Sequence, residues 1–274
     1  MTLSENVIMF VIPAAIGFAL IAGLIRLRHN RIRRAQQLRG LEWLEKLRFV
    51  LAHLQQHRGL SSGYIAGNHA LQDDLNNLHN VIRRDMEVIN RVDEWIRQNS
   101  RWQGIEEHWQ RLTTRFKSLE RDDNINQHNR LLTNLIYLIE DIAETHHLTA
   151  LCQQKEQGQR VWHDLLVAAE HIGQARAIGT AITASGQCDS VSRIQMSYLS
   201  SKIEMTSQNL LGNLGLPQQA QHKLKELIQC IQYRVLVDTP KIESKIYFNL
   251  ASGCLEEIFT HYDREIISLR ERVR

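Results

Sequence analysis

Three observations predict an all-α protein. Apolar residues recur every three to four positions along most of the 274-residue chain, no stretch alternates with period two long enough for a strand, and there are only 3 Pro and 14 Gly. The expected architecture is an N-terminal transmembrane helix followed by two consecutive four-helix bundles.

In order along the chain, residues 7–25 (VIMFVIPAAIGFALIAGLI) come first and carry no charge. At 1.5 Å per residue, such a helix rises about 28 Å, just enough to span a hydrocarbon core. A cleaved leader needs a basic start, whereas Glu5 is the one charged side chain before the span. Residues 1–25 are therefore expected to form a retained anchor. Residues 26–40 follow as a basic juxtamembrane segment, with Arg26, Arg28, Arg31, Arg33, Arg34 and Arg39 and no acid between them. The positive-inside rule then predicts a single pass through the inner (cytoplasmic) membrane, with the body of the protein facing the cytoplasm. The net charge of +3 resides in this cluster, so no basic face is left for nucleic acid, which is not expected as a partner. Four cysteines without a CxxC suit a reducing compartment.

The first long helix carries Leu44, Leu47, Leu51 and Leu54 on one face. Further helical stripes run over residues 71–96, 102–119, 131–148, 162–182, 191–211, 224–237 and 242–267. Turn and cap residues separate them at Gly67-Asn68, Asn99-Ser100, Asp122-Asp123-Asn124, Gln157-Gly158, Gly186 to Ser190, Gly212 to Pro217 and Asp238-Thr239-Pro240. Thr239-Pro240 has the form of an N-cap followed by proline at the first helical position. The weakly patterned stretch 152–160 divides the eight helices into a first four-helix bundle, 41–151, and a second, 160–270.

Two arginines break the apolar pattern. In the first long helix the stripe continues to Arg58, then Ser61 and Ile65; in the fifth, Trp162, Leu165, Ala169 and Ile172 lead to Arg176, then Gly179 and Thr183. An inward guanidinium needs a partner, because an unpaired buried charge costs several kcal/mol. One solution is an internal acid such as Asp141 or Glu170, or snorkelling to solvent. The other is an anion site, in which two planar forks of N–H donors grip one small flat oxyanion and Gly59, Ser61, Ser62 and Gly179 leave it room.

Arg58-Gly59 in one long helix, Gly173-Gln174-Ala175-Arg176-Ala177 in another and the eight-helix layout resemble the NIT domain, the nitrate- and nitrite-sensing domain of bacterial receptors and regulators. The resemblance spans residues 41–268. It implies a pair of four-helix bundles with arginines of these elements engaged in sensing. Carried onto this chain, the ligand-binding candidates are Arg58, Arg176 and Gly59, with Arg234 as a further family arginine. Arg234 fits the stripe Leu224, Leu227, Ile231, while Leu224, Ile228, Ile231, Val235 fits equally well. His57 stands before the Arg-Gly pair and would make binding pH-dependent if it took up a proton. NIT domains commonly precede a signalling module, and the sequence ends at Arg274 soon after the eighth stripe, so a stand-alone member signalling to a separate partner, as a homodimer, is expected.

The functional expectation is a membrane-anchored sensor of nitrate or nitrite; the alternative is a ligand-independent, membrane-tethered helical adaptor. No enzyme activity, cofactor or metal is expected. The chain has no glycine-rich phosphate loop, GxSxG or HExxH, and His146-His147 point about 100° apart on a helix.

Overall fold

A computed structural model describes residues 3–152, 161–213 and 215–273, with side chains for 16–152, 162–208 and 215–273. All regular structure among these residues is helical. The helices are α1 (Leu3–Ile65), α2 (Gln72–Asn90), α3 (Glu94–Gln98), α4 (Ser100–Arg115), α5 (Arg121–Thr145), α6 (Thr149–Cys152), α7 (Val161–Ser185), α8 (Ser190–Asn213), α9 (Gln218–Cys230) and α10 (Ser244–Val273), with a π-helical turn at Ile231–Val235.

Helix α1 organises the fold. It packs on α2, α5, α7 and α10; α5 also meets α7, α4 packs on α5, and α7, α8, α9 and α10 pack in sequence, with α7 against α10. Its stripe is fully buried at Leu41, Leu44, Leu47, Leu51 and Leu54. Tyr262 of α10 donates its hydroxyl to the Leu44 carbonyl at 3.0 Å, and Arg48 forks onto Asp263 at 2.9 and 2.5 Å. These bonds fix the α1–α10 contact, whereas from residue 18 to 35 every α1 side chain is exposed.

That exposed end corrects one expectation. Among the described residues no helix is long and apolar enough to cross a membrane. The apolar part of α1 with described side chains, residues 16–25, rises only about 15 Å, half a hydrocarbon core. The other part of the expected span, residues 7–15, lies outside the described side chains. The single-pass inner-membrane location, with its cytoplasm-facing body, is withdrawn on this finding.

Helix ends follow local chemistry. Asn99 caps α4 by accepting from the backbone N–H of Arg101 and Trp102 at 3.0 and 3.1 Å. Helix α1 closes with Gly67 at φ 101°, where Asn68 N–H bonds Gly63 O at 3.1 Å and Gly67 N–H bonds Tyr64 O at 3.0 Å. The same motif ends α5 with His147 in glycine's place, at φ 56°. An L side chain is strained there, so His147→Gly is expected to raise stability by about 0.5–1 kcal/mol, read as a higher urea midpoint at unchanged slope.

Some boundaries depart from expectation. Helix α5 begins at Arg121, ten residues before its expected start. Asp122 and Asp123 occupy its first turn, where acids favour the helix N-terminus, so they do not form a break. Helix α10 begins at Ser244, past Thr239-Pro240, because the preceding π-helical turn returns the chain by a Lys241 N–H bond to Arg234 O at 2.8 Å. The expected break at Gln157-Gly158 falls outside the described residues.

Candidate functional site

The α1–α7 contact is close because Gly173 faces α1. A Cβ on Gly173 would stand 2.9 Å from Arg58 Nη2 and from Gln55 Nε2. Six residues further along α7, Gly179 makes room for the Tyr247 ring of α10, whose hydroxyl donates to Ala175 O at 2.8 Å. Gly59 has no such steric duty: a Cβ there would meet nothing within 4 Å, and the residue lines open space.

Arg58 is 1% exposed and neutralised. Its Nη1 donates to Glu170 Oε1 at 2.6 Å and to Asn129 Oδ1 of α5 at 2.6 Å, and its Nη2 reaches Glu170 Oε2 at 3.4 Å. Gln55 Nε2 donates to Glu170 Oε2 at 2.8 Å and Gln174 Nε2 to Glu170 Oε1 at 2.9 Å. Glu170, 5% exposed, is thus a planar oxyanion already seated among a guanidinium and two amides. This corrects the expectation of two vacant forks. Arg58 takes the internal-acid solution with Glu170, while Asp141 pairs with Arg101.

Arg176 differs. Its Nη1 donates to Ser252 Oγ at 3.1 Å, and its guanidinium lies 5.1 Å from the centroid of the Phe248 ring. Among the described residues it has no ion pair. Burial, and then the Arg58 charge beside it, bring its pKa down to about 10, leaving it charged at neutral pH. It faces a cavity of about 540 Å³ between α1 and α7, which is also lined by Gln55, Gln56, Gly59, Ser62, Gly173, Thr180 and Phe248, with Arg121 on its wall. Thr180 Oγ1 is buried there without a hydrogen-bond partner, as is Arg58 Nε.

The other expected residues lie elsewhere. His57, the neighbour of Arg58, turns into the core between α1, α2 and α5, with Trp109 of α4 and Phe116 against its ring. Its Nδ1 meets His128 Nε2 at 2.7 Å, its Nε2 meets His79 Nε2 at 2.7 Å, and His128 Nδ1 meets Asn124 O at 2.7 Å. The carbonyl only accepts, so His128 carries its proton on Nδ1. Neutral rings then force one direction: His79 donates to His57, His57 to His128 and His128 to Asn124. Burial, reinforced by the neighbouring imidazoles, holds His57 well below the usual histidine range. With both nitrogens used and no exposure, His57 does not reach the cavity. Among the described residues no group of His, Cys, Asp and Glu is arranged to hold a metal. Arg234 lies in the π-helical turn and is exposed, because Ile231 and Val235 take the inward positions.

The family model described as nitrate and nitrite sensing (NIT) matches residues 50–254. The chain belongs to the NIT family. The match covers the elements that carry Arg58, Glu170, Arg176 and Arg234. Among solved structures, this NIT protein is similar to the NasR transcription antiterminator, with a TM-score of 0.68 and 14% identity over 93% of this chain and 74% of that one. At that identity the likeness concerns the fold. No curated protein sequence matches the chain.

Sequence reasoning named Glu170 as one possible partner but missed Gln55, Asn129 and Ser252. The spacing of Glu170, Gly173 and Gln174, at i, i+3 and i+4, carried the signal that these three share one face of a helix.

Proposed function

We propose that the protein senses nitrate or nitrite by holding one ion in the α1–α7 cavity, with Arg176 as the principal ligand and the Arg58–Glu170 pair as its neighbour. The observation that carries this reading is Arg176 itself, a half-buried guanidinium facing open space without a carboxylate, in a chain of the NIT family. Its two parallel N–H vectors suit a flat oxyanion, and the Thr180 hydroxyl, buried there without a partner, adds a donor. The ion offsets the repulsion between Arg176 and Arg58 and draws α7 toward α1. The two helix sets act as two four-helix bundles, residues 41–151 and 160–270, and Arg58 sits on a helix unbroken from Leu3, which supports transmission along α1 to a separate partner. A shift from 1:99 to 99:1 requires about 5.5 kcal/mol of differential affinity, so a partial shift is expected.

Thermal melting of the full chain in nitrate, nitrite and chloride at matched ionic strength tests this. Nitrate or nitrite at a hundredfold excess over Kd is expected to add about 2.7 kcal/mol of stability, absent in chloride and abolished by Arg176→Gln. Equal response to all three salts contradicts it. The closed Arg58–Glu170 pair favours a second reading, a helical adaptor without a ligand, and that reading gives the equal response.

A further inference from the structure

The charges around the cavity form a short inventory. Arg58 and Arg176 supply two positive charges and Glu170 one negative charge. Burial holds His171, next to Glu170 on α7, below the usual histidine range, so it is neutral at pH 7. His57 and His128, behind Arg58, are held low in the same way. In the adjoining cavity on the α10 side Arg48 and Asp263 cancel each other. Arg121 and Glu256 are exposed, where water screens them. Arg58, Glu170 and Arg176 together therefore carry one positive charge in excess.

We infer that Glu170 is a specificity-determining residue: by fixing that excess at a single charge, it restricts the site to monovalent anions. The inference rests on the reading of the cavity as an anion site. A monovalent oxyanion brings the cluster to neutrality. A divalent one leaves a negative charge without a partner beside the buried Glu170 carboxylate, which is unfavourable whatever its shape. The Glu170 charge is held in place by Arg58, Gln55 and Gln174, so it acts on every ligand that enters. Shape alone separates nitrate from sulfate poorly, because guanidinium forks grip both; the charge count separates them.

Isothermal titration of the full chain with potassium nitrate and potassium sulfate at matched ionic strength tests this directly, since sulfate raises the stability of any protein by exclusion and melting would mislead. The wild type is expected to bind nitrate and refuse sulfate. Glu170→Gln leaves Arg58 uncancelled and is expected to move the sulfate-to-nitrate affinity ratio by roughly tenfold or more toward sulfate. Gln174→Lys adds a positive charge while keeping the Arg58–Glu170 pair, and is expected to shift the ratio the same way; it decides the matter if Glu170→Gln does not fold. Nitrate binding in the wild type with the ratio unmoved in the folded variants overturns the role of Glu170 and leaves the anion site standing. No nitrate binding in the wild type or either variant overturns both.

Discussion

Arg58→Ala is expected to destabilise the protein by about 3–5 kcal/mol, among the largest single effects available in this chain. The guanidinium and its carboxylate partner are 1% and 5% exposed, so truncation strands Glu170 in the interior with only the Gln55 and Gln174 amides hydrogen-bonded to it. It also removes the bond to Asn129 that ties α5 to α1. The loss comes from the stranded charge more than from the pair itself. Replacing both members, Arg58→Met with Glu170→Met, is therefore expected to recover most of the stability. Urea unfolding at pH 7.5 measures both. A loss below about 1 kcal/mol for Arg58→Ala would mean that water reaches Glu170 and that the pair is not the dry clasp described here.

Stability is expected to fall steeply on mild acidification, before the carboxylates titrate. His57 and His128 are wholly buried in a one-way hydrogen-bonded chain that has no place for a further proton. Burial brings His128 down to about 3, and His57 is also well below 6.5. In the unfolded chain both titrate near 6.5. The folded-state values are depressed, so the unfolded state binds more protons below 6.5. Stability is intact above that pH and is lost as pH falls, toward pH 3 for His128. Each histidine contributes about 1.4 kcal/mol per pH unit in this window, about 2.7 for the two together. His79, half-buried and also lowered, steepens the slope. Urea midpoints between pH 7.5 and 5 test this; a flat profile would show that the cluster accepts a proton without rearrangement. The same neutrality means that His57 does not supply a titrating charge to the anion site, contrary to the expectation drawn from its place beside Arg58.

Much of the fold was legible because apolar stripes and caps are local signals. The stripe ending in Arg58 and the stripe ending in Arg176 are buried as read, with Leu54 and Ile172 both fully enclosed. What escaped has physical reasons. The apolar pattern starts α5 at Leu131 because the first turns of the helix bury Asn124 and His128, which such a pattern counts as loop. Asn124 is satisfied by Ser61 and Ser62 across the α1 contact, a pairing that no local window contains. A 3.6-residue period fits Arg234 and Val235 to the inward stripe equally well. The Leu236 N–H bond to Ile231 O, five residues back, widens the turn and carries Arg234 outward. Glu170 is one of two acids that the sequence offers Arg58. Choosing between it and Asp141 required knowing which helix faces which, and that depends on Gly173 allowing α7 to approach α1.

The most direct measurement is a crystal structure of the full chain grown in nitrate. Planar density within about 3 Å of the Arg176 Nη atoms, in the α1–α7 cavity and with Glu170 still on Arg58, is the expected result. Nitrate density only on the exposed arginines of residues 26–39, with that cavity holding water alone, would contradict it.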